Sequence, residues 1–460
     1  MADRLNSSRL GRAARLGGLA AGTAVRKAGT RTANVARSEE AREAANRKAA
    51  LETAERMVTV LGSMRGAAVK IGQSLSVVDI GFTDEEVREE FQAKLAKLQN
   101  MAPTVAFADM RKVVEEDLGQ PLDAVFAEFD ETAIAAASIG QVHRARLRDG
   151  REVAVKIQYP GIKDIVRADL KNVHLLLKAA ARVTPGLATK EVAREVVERI
   201  TEELDYELEA ANHRAMARAY RDHPFIVVPD VITELSRERV LVTEFVHGRP
   251  FAAVTGDAAA ARARFGEILF RFYVSGPFRN RLLNGDPHPG NSLFLDDGRV
   301  AFLDFGFFKR QSKEQVEVQR TVLQAAYAQD AQRLYELSRA QGIVTAGPEI
   351  ADKLLEKYRV ATWWFLDDRE VSVQPSDVTR IVLEHANMRS DGFGEITLPA
   401  EQVTTMRAFG LVLGVLSQLG ATANWSLIAR ETLFGDEPQT ELGRLEAEWV
   451  AGGRVPATPA

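Results

Sequence analysis

Residues 41–72 are rich in Ala, Glu, Lys and Leu and free of proline, which predicts one long helix. Thr83 then opens a T-x-x-E capping box with Glu86, and Val87, Phe91, Leu95 and Leu98 recur on one face of a second helix. After Pro103 the texture changes. A helix is expected over Phe107–Leu118, followed by Phe126 and Phe129 and then by AIAAASIGQVHRARLRDGREVAVKIQYPG, which alternates on either side of Asp149-Gly150. Two strands joined by a tight turn give that pattern. The alternation places Ala154 and Lys156 on one face and Val153, Val155 and Ile157 on the other. Residues 164–220 return to helical texture, and residues 227–248 (VVPDVITELSRERVLVTEFVHG) add two strands. The remainder reads as helix, broken by short strands around NSLFLDDGRVAFLDFG with a second tight turn at Asp297-Gly298, and the tail GGRVPATPA reads as unstructured.

A chain of 460 residues has room for two or three domains, or for one bilobal unit with appendages. Its 46% hydrophobic and 27% charged residues are globular proportions, which excludes a collagenous or wholly disordered chain. There is no cysteine, so disulfides, a thiol nucleophile and Cys-ligated metal or redox centres are excluded, and a reducing compartment, the cytoplasm, is expected. Charge is uneven: residues 1–37 carry +7, leaving −11 for the rest of a chain whose net charge is −4. An acidic body of this kind argues against nucleic-acid binding. The basic arm, RLGRAARLGGLAAGTAVRKAGTR, lacks the unbroken apolar run of a secretory signal and reads equally as a solvated tail or as a helix on an anionic lipid surface. Peripheral contact with the inner membrane surface through this arm is therefore an expectation. No spanning segment is expected, since the best run, residues 409–425, is short and broken by Ser417 and Gln418; a buried helix of a terminal lobe suits it better.

The most informative constellation is NGDPHPGN, residues 284–291, followed by LDFG, residues 303–306. Asp286 and Asn291 are five apart, and Asp304 lies eighteen beyond Asp286. Phosphoryl transfer needs oxygen acceptors of this kind around magnesium: an Asp bridging metal and phosphates, an Asn completing the shell, and a second Asp near the attacking oxygen. Either motif alone is usually a turn; together and in order they reproduce the catalytic loop and DFG spacing of kinases. Lys156, ending VAVK on the second hairpin strand, supplies a fixed positive charge for phosphates if a carboxylate from the following helical run orients it. The competing reading is an exposed strand lysine. Glu244-Phe245-Val246, at a strand end before Gly248, occupies the place of a hinge that offers backbone groups to adenine. Trp363, Trp364 and Phe365 read as a core knot, with a hydrophobic ligand groove as the alternative.

Three further motifs make the chain resemble the AarF/UbiB/ADCK family of atypical kinases: KIGQ (residues 70–73), AAAS (residues 135–138) in place of a Gly-rich phosphate loop, and ELDYELEAANH with its ExD triplet. The resemblance implies a bilobal α/β (α+β) protein-kinase-like fold with a helical KxGQ extension covering the cleft. It implies a basic arm over 1–40, the extension over 41–105, an N-lobe with a helical insertion over 106–248, a C-lobe over 249–440 and a tail over 441–460. It further implies that Lys156 pairs with Glu209 and contacts the phosphates of ATP, that Asn291 and Asp304 hold Mg2+, and that Asp286 takes the catalytic-loop position. Ala135, Ala136, Ala137 and Ser138 would line the nucleotide together with Glu244 and Val246. Lys70 and Gln73 would lie over the site, with Lys70 meeting Glu203 or Asp205.

Two departures from ordinary protein kinases are legible: 53 residues separate Lys156 from Glu209, and no APE motif or long activation segment follows DFG. A protein substrate is disfavoured. Asn284-Gly285-Asp286 also lacks the arginine that would read an activation-loop phosphate. The expected activity is MgATP binding with ATPase or phosphotransferase chemistry, linked by resemblance to isoprenoid-lipid or quinone metabolism, with ATP or ADP and a lipid or quinone precursor as partners. A nucleotide-sensing scaffold with little turnover and a small-molecule kinase are the alternatives.

Overall fold

Apolar alternation and two turn signals build the first sheet. The computed structural model describes residues 105–137, 139–167, 201–202, 204–377 and 400–453; the helices expected over 41–72 and after Thr83 lie outside these. The described residues divide into two compact units, those up to Glu207 with Glu234–Val242 forming one, and Leu208–Thr233 with those from Thr243 onward forming the other.

In the first unit, helix α1 (Phe107–Leu118) has the bounds expected of it, buries Met110, Val113 and Val114, and stops at Gly119 in a left-handed C-cap at φ 66°. Strands β1 (Phe126–Phe129), β2 (Ala135–Ala136), β3 (Gly140–Leu147), β4 (Glu152–Gln158) and β5 (Val240–Glu244) form one sheet in the order β1-β3-β4-β5, with β2 also pairing β3. The β3–β4 turn closes where expected, Leu147 N–H donating to Arg151 O at 2.8 Å, with Gly150 at φ 92°. Val153, Val155 and Ile157 are fully buried while Ala154 and Lys156 are half-buried, so the expected division of faces holds.

The second unit is built around a helix that changes register. Helix α3 (Ala259–Phe270) runs into a π turn, Arg271–Ser275, and then α4 (Gly276–Asn280). Pro277, which has no N–H to donate, follows directly, and the extra residue in the turn accommodates it. Four short strands order as Ile226–Val227, β8 (Val300–Phe302), β7 (Ser292–Phe294) and Arg249–Pro250, and a separate ribbon pairs β6 (Leu282–Asn284) with β9 (Phe308–Arg310). Helices α5 (Lys313–Tyr327), α6 (Ala331–Ala340), α7 (Ala351–Leu366), α8 (Ala400–Leu419), α9 (Trp425–Leu433) and α10 (Glu441–Ala451) complete it. Its core is aromatic: Phe272 stacks on Phe302 at 3.6 Å, and Phe270 on Trp425 at 5.5 Å.

Residues 208–233 and 243–248 cluster with the second unit, where helix α2 (Tyr206–Ala219) buries Ala215, Met216 and Ala219 in the aromatic core. Residues 441–451, placed in a tail, form α10, anchored by Trp449 and Glu446 at 8% and 2% exposure. The small residues 135–136 form an exposed edge strand.

Candidate functional site

The nucleotide-facing half expected of the first unit assembles by register. Val142 of β3 stands opposite both Ala135 of β2 and Lys156 of β4. Residues directly opposite in antiparallel strands share a face, so Ala135, Val142 and Lys156 form one row across the sheet. Lys156 Nζ lies 5.1 Å from the Tyr206 ring centroid, a cation–π approach that orients the ammonium from the side of α2. Ala135 and Ala136 are exposed and Ala137 half-buried; Ser138 lies outside the described residues.

In the second unit the catalytic-loop and DFG segments are tied together by one side chain. Asn284 Oδ1 accepts the Asp286 N–H at 3.1 Å while its Nδ2 donates to Asp304 O at 2.9 Å. Asn291 Nδ2 donates to Asp286 O at 3.1 Å, and Leu303 N–H donates to Asn291 O at 3.0 Å. Asp286, Asn291 and Asp304 are each half-buried within this cluster. Gly306 N–H donates to Asp304 Oδ1 at 3.0 Å, which fixes the carboxylate at the start of its turn. Below them lies Tyr273 of the π turn, 3% exposed, whose phenol pKa is raised first by burial and then by the negative charges of Asp286 and Asp304. Both carboxylates therefore stand near one ring.

Helix α2 meets the same segment. The Phe305 ring lies 4.6 Å from His213, and Asn212 Nδ2 donates to Phe305 O at 3.4 Å. Glu209, 3% exposed, sits one turn before His213 on the same helix face. Lys156 belongs to the first unit and Glu209 to the second.

The donor set suits a hard divalent cation. Asn291 spends its amide nitrogen on the Asp286 carbonyl, which leaves its side-chain oxygen as the acceptor it can offer. Among the described residues no three His, Asp or Glu side chains gather to hold a metal. Magnesium is commonly held by one or two protein oxygens with phosphates and water completing the shell, which is the set present here.

The remaining expected residues divide. Lys70, Gln73 and Glu203 lie outside the described residues. Asp205 Oδ1 accepts Glu207 N–H at 3.0 Å, the geometry of an N-cap on α2. Glu244 lies at the end of β5, with its N–H donating to Asp230 O at 2.9 Å and its Oε2 accepting Asp230 N–H at 3.0 Å; Val246 is half-buried just beyond. Sequence reasoning assigned no role to Asn284, although an amide two residues before Asp286 was a readable signal for an Asx turn. Tyr273 had none.

Among the described residues no helix is long and apolar enough to cross a membrane. The profile of the ABC1 atypical kinase-like domain matches residues 97–338. "Atypical kinase COQ8B, mitochondrial" of Rattus norvegicus is 34% identical over 62% of this chain and 54% of its own length. "AarF domain-containing protein kinase 1" of Gallus gallus is 28% identical over 82% of this chain and 73% of its own. The chain spans about half the length of the rat relative, and 39% of "Atypical kinase coq-8, mitochondrial" of Caenorhabditis elegans. A solved Rv3197–erythromycin complex from Mycobacterium tuberculosis is similar over 83% of this chain and 95% of that one, with TM-score 0.59 and 31% identity. A profile spanning more than half of the residues, an α/β fold of kinase-like type and an ordered set of kinase motifs agree, and the chain belongs to the ABC1 atypical kinase-like family.

Proposed function

We propose that the protein binds MgATP and hydrolyses it or passes its γ-phosphate to a small acceptor. The observation that supports this most directly is Asn284, one amide that ties the backbone of Asp286 to that of Asp304 and so keeps the two segments in register. In this reading Asp304 and Asn291 hold the cation, Asp286 orients the attacking oxygen, and Lys156, paired with Glu209, neutralises phosphate charge. Bound magnesium would supply charge neutralisation at the β and γ oxygens. Positioning and electrostatics account for the rate in such chemistry, so what this chain contributes is a half-buried, hydrogen-bonded constellation that needs little reorganisation. Ala135 and Ala136 present an edge strand to the phosphates with less backbone freedom than glycine allows, and Glu244 and Val246 offer hinge backbone to adenine. Lys70 and Gln73, with Glu203 and Asp205, are proposed to act over the cleft. The domain division expected from sequence is part of the same proposal; work in a reducing compartment is proposed from the absence of cysteine and contact with a membrane surface from the basic arm, while a link to isoprenoid-lipid or quinone metabolism rests on the family resemblance.

Single-turnover reactions with radiolabelled ATP separate the outcomes. Free phosphate identifies an ATPase and label on a metabolite a kinase. Asp304→Asn and Lys156→Ala are each expected to lower magnesium-dependent turnover at least ~100-fold, on the scale of removing one preorganised charge. Wild-type turnover in either variant removes that residue's role, and absence of nucleotide uptake by calorimetry removes the whole reading.

A further inference from the structure

Gln158 ends β4 two residues beyond Lys156, and period-two alternation puts both on one face of the sheet. Lys156 is half-buried there, whereas Gln158 is 1% exposed. A buried amide costs free energy unless its hydrogen bonds are made. Here they are: Gln158 Nε2 donates to Leu204 O at 3.0 Å and to Glu238 O at 3.2 Å, carbonyls that stand 46 and 80 residues further along the chain. Glu238 O also accepts the Tyr206 N–H at 3.0 Å. The chain entering α2 is thus held on both sides of Asp205, at Leu204 by the amide itself and at Tyr206 through a carbonyl that the amide shares. That carbonyl lies in a braced turn. Arg239 N–H donates to Asp117 Oδ2 at 2.7 Å and Arg239 Nε to Asp117 Oδ1 at 2.7 Å, which joins the turn to α1, and Gln158 N–H donates to Arg239 O at 3.0 Å.

What this clamp delivers is Tyr206, 1% exposed, whose ring centroid lies 5.1 Å from Lys156 Nζ. The strand register acts on the same side chain. Gly140 of β3 stands opposite Gln158, and a Cβ at position 140 would meet Ile157 O at 2.1 Å and Tyr206 Oη at 3.0 Å. Glycine there lets the phenol come down onto the strand pair. All of these groups belong to the first unit.

We infer that Gln158 is a positioning residue for Lys156: its amide fixes Leu204 and Glu238, these fix Tyr206, and the Tyr206 ring holds the ammonium in the orientation that phosphates require. What the ammonium meets rests on the nucleotide reading above; the chain of contacts that sets it rests on geometry alone. Methionine at 158 fills nearly the same space and donates nothing, so Gln158→Met removes the clamp while keeping the packing.

Two measurements on the full chain test this. In calorimetric titrations Gln158→Met is expected to weaken MgADP about fivefold and to leave adenosine unchanged, the effect of one lost cation–π contact on a group that faces only phosphate. In a Lys156→Met background the same substitution is expected to have no further effect, because two changes that act through one group do not add. The second measurement needs no nucleotide. Competitive acetylation of the ligand-free protein with acetic anhydride, read by mass spectrometry, is expected to show Lys156 labelled at least about threefold faster in Gln158→Met and in Tyr206→Leu, since an ammonium released from the ring gives up its proton more readily, with exposed Lys309 unchanged as the reference. A general loosening of the fold would instead weaken adenosine with MgADP and raise the labelling of other lysines. If the wild type takes up no MgADP, the nucleotide reading falls and the labelling alone decides the role of Gln158. Unchanged MgADP affinity in Gln158→Met, equal weakening of MgADP and adenosine, a full fivefold effect in the Lys156→Met background, or unchanged Lys156 labelling overturns the inference.

Discussion

At position 285 a Cβ would sit 2.0 Å from Cε1 of Phe307, because the loop backbone runs against the ring and Gly285 N–H donates to Phe307 O at 3.0 Å. Glycine is therefore required by close approach, and the Asn-Gly-Asp of this chain is a packing solution that joins the loop to the residues after DFG. Phe307 is 5% exposed and cannot swing into solvent without opening the core around it. Gly285→Ala is expected to destabilise the protein by about 1–3 kcal/mol, the usual cost of overpacking, and to lower turnover because Asp286 moves with the loop. A denaturant titration beside a turnover measurement checks this; an alanine variant of unchanged midpoint would show that the ring yields. The sequence showed that an arginine was missing from this tripeptide, but not why glycine stood in its place, since the constraint comes from a residue 22 positions away.

At the scale of elements, Asp205 has two competing explanations. Its carboxylate caps α2 through Glu207 N–H, and α2 carries Glu209 and packs His213 and Asn212 on the DFG segment. It also belongs to the ExD triplet proposed to act over the cleft. Asp205→Ala should cost about 1 kcal/mol by losing the cap, and Asp205→Ser should restore that stability because a hydroxyl caps nearly as well. If turnover returns with serine, the carboxylate acts only as a cap; if stability returns without turnover, its charge is used. Thermal melts and turnover on the same preparations decide. The same contrast between local and distant causes explains what the sequence made legible. Helix α1 was readable to the residue, since its apolar face and the glycine after it are local signals, and so was the β3–β4 hairpin, for which Asp149-Gly150 and period-two alternation suffice. Strands β2 and β9 escaped notice because two alanines or three residues carry no periodicity; pairing with β3 and β6 makes them strands. The motif residues of the catalytic loop and DFG were legible by spacing, whereas the tie through Asn284 and the ring of Tyr273 beneath required the third dimension.

Across the second unit as a whole, a buried ionic network joins segments more than two hundred residues apart. Arg271, fully buried in the π turn, donates to Glu267 at 2.8 Å, Glu431 at 2.7 Å and Glu446 at 2.9 Å. Arg279 and His223 also meet Glu446, at 2.5 Å and 3.3 Å. Two arginines face three glutamates, so the network is one negative charge in excess while His223 is neutral. Burial alone would raise the Glu446 pKa, yet Arg279, His223 and Arg271 together hold it well below the carboxylate range. Burial raises Glu431 and lowers His223. The signs then follow from which state binds the proton more readily. The depressed Glu446 contributes stability that is complete above its ordinary value of 4.5 and is lost as pH falls through that value toward the depressed one. His223, depressed below 6.5, acts in the same direction from a higher pH, because the unfolded imidazole takes a proton that the folded one refuses. Glu431, raised, acts in the opposite direction and softens the acid limb. Replacing Glu446 by Gln leaves two buried guanidinium groups short of a partner, which costs about 3–5 kcal/mol at neutral pH. The variant is expected to melt well below wild type at pH 7, with the gap narrowing as pH falls below about 4.5, the ordinary glutamate value. Melting curves from pH 7 to pH 3 check this, and parallel declines for the two proteins would show that Glu446 does not carry the acid sensitivity.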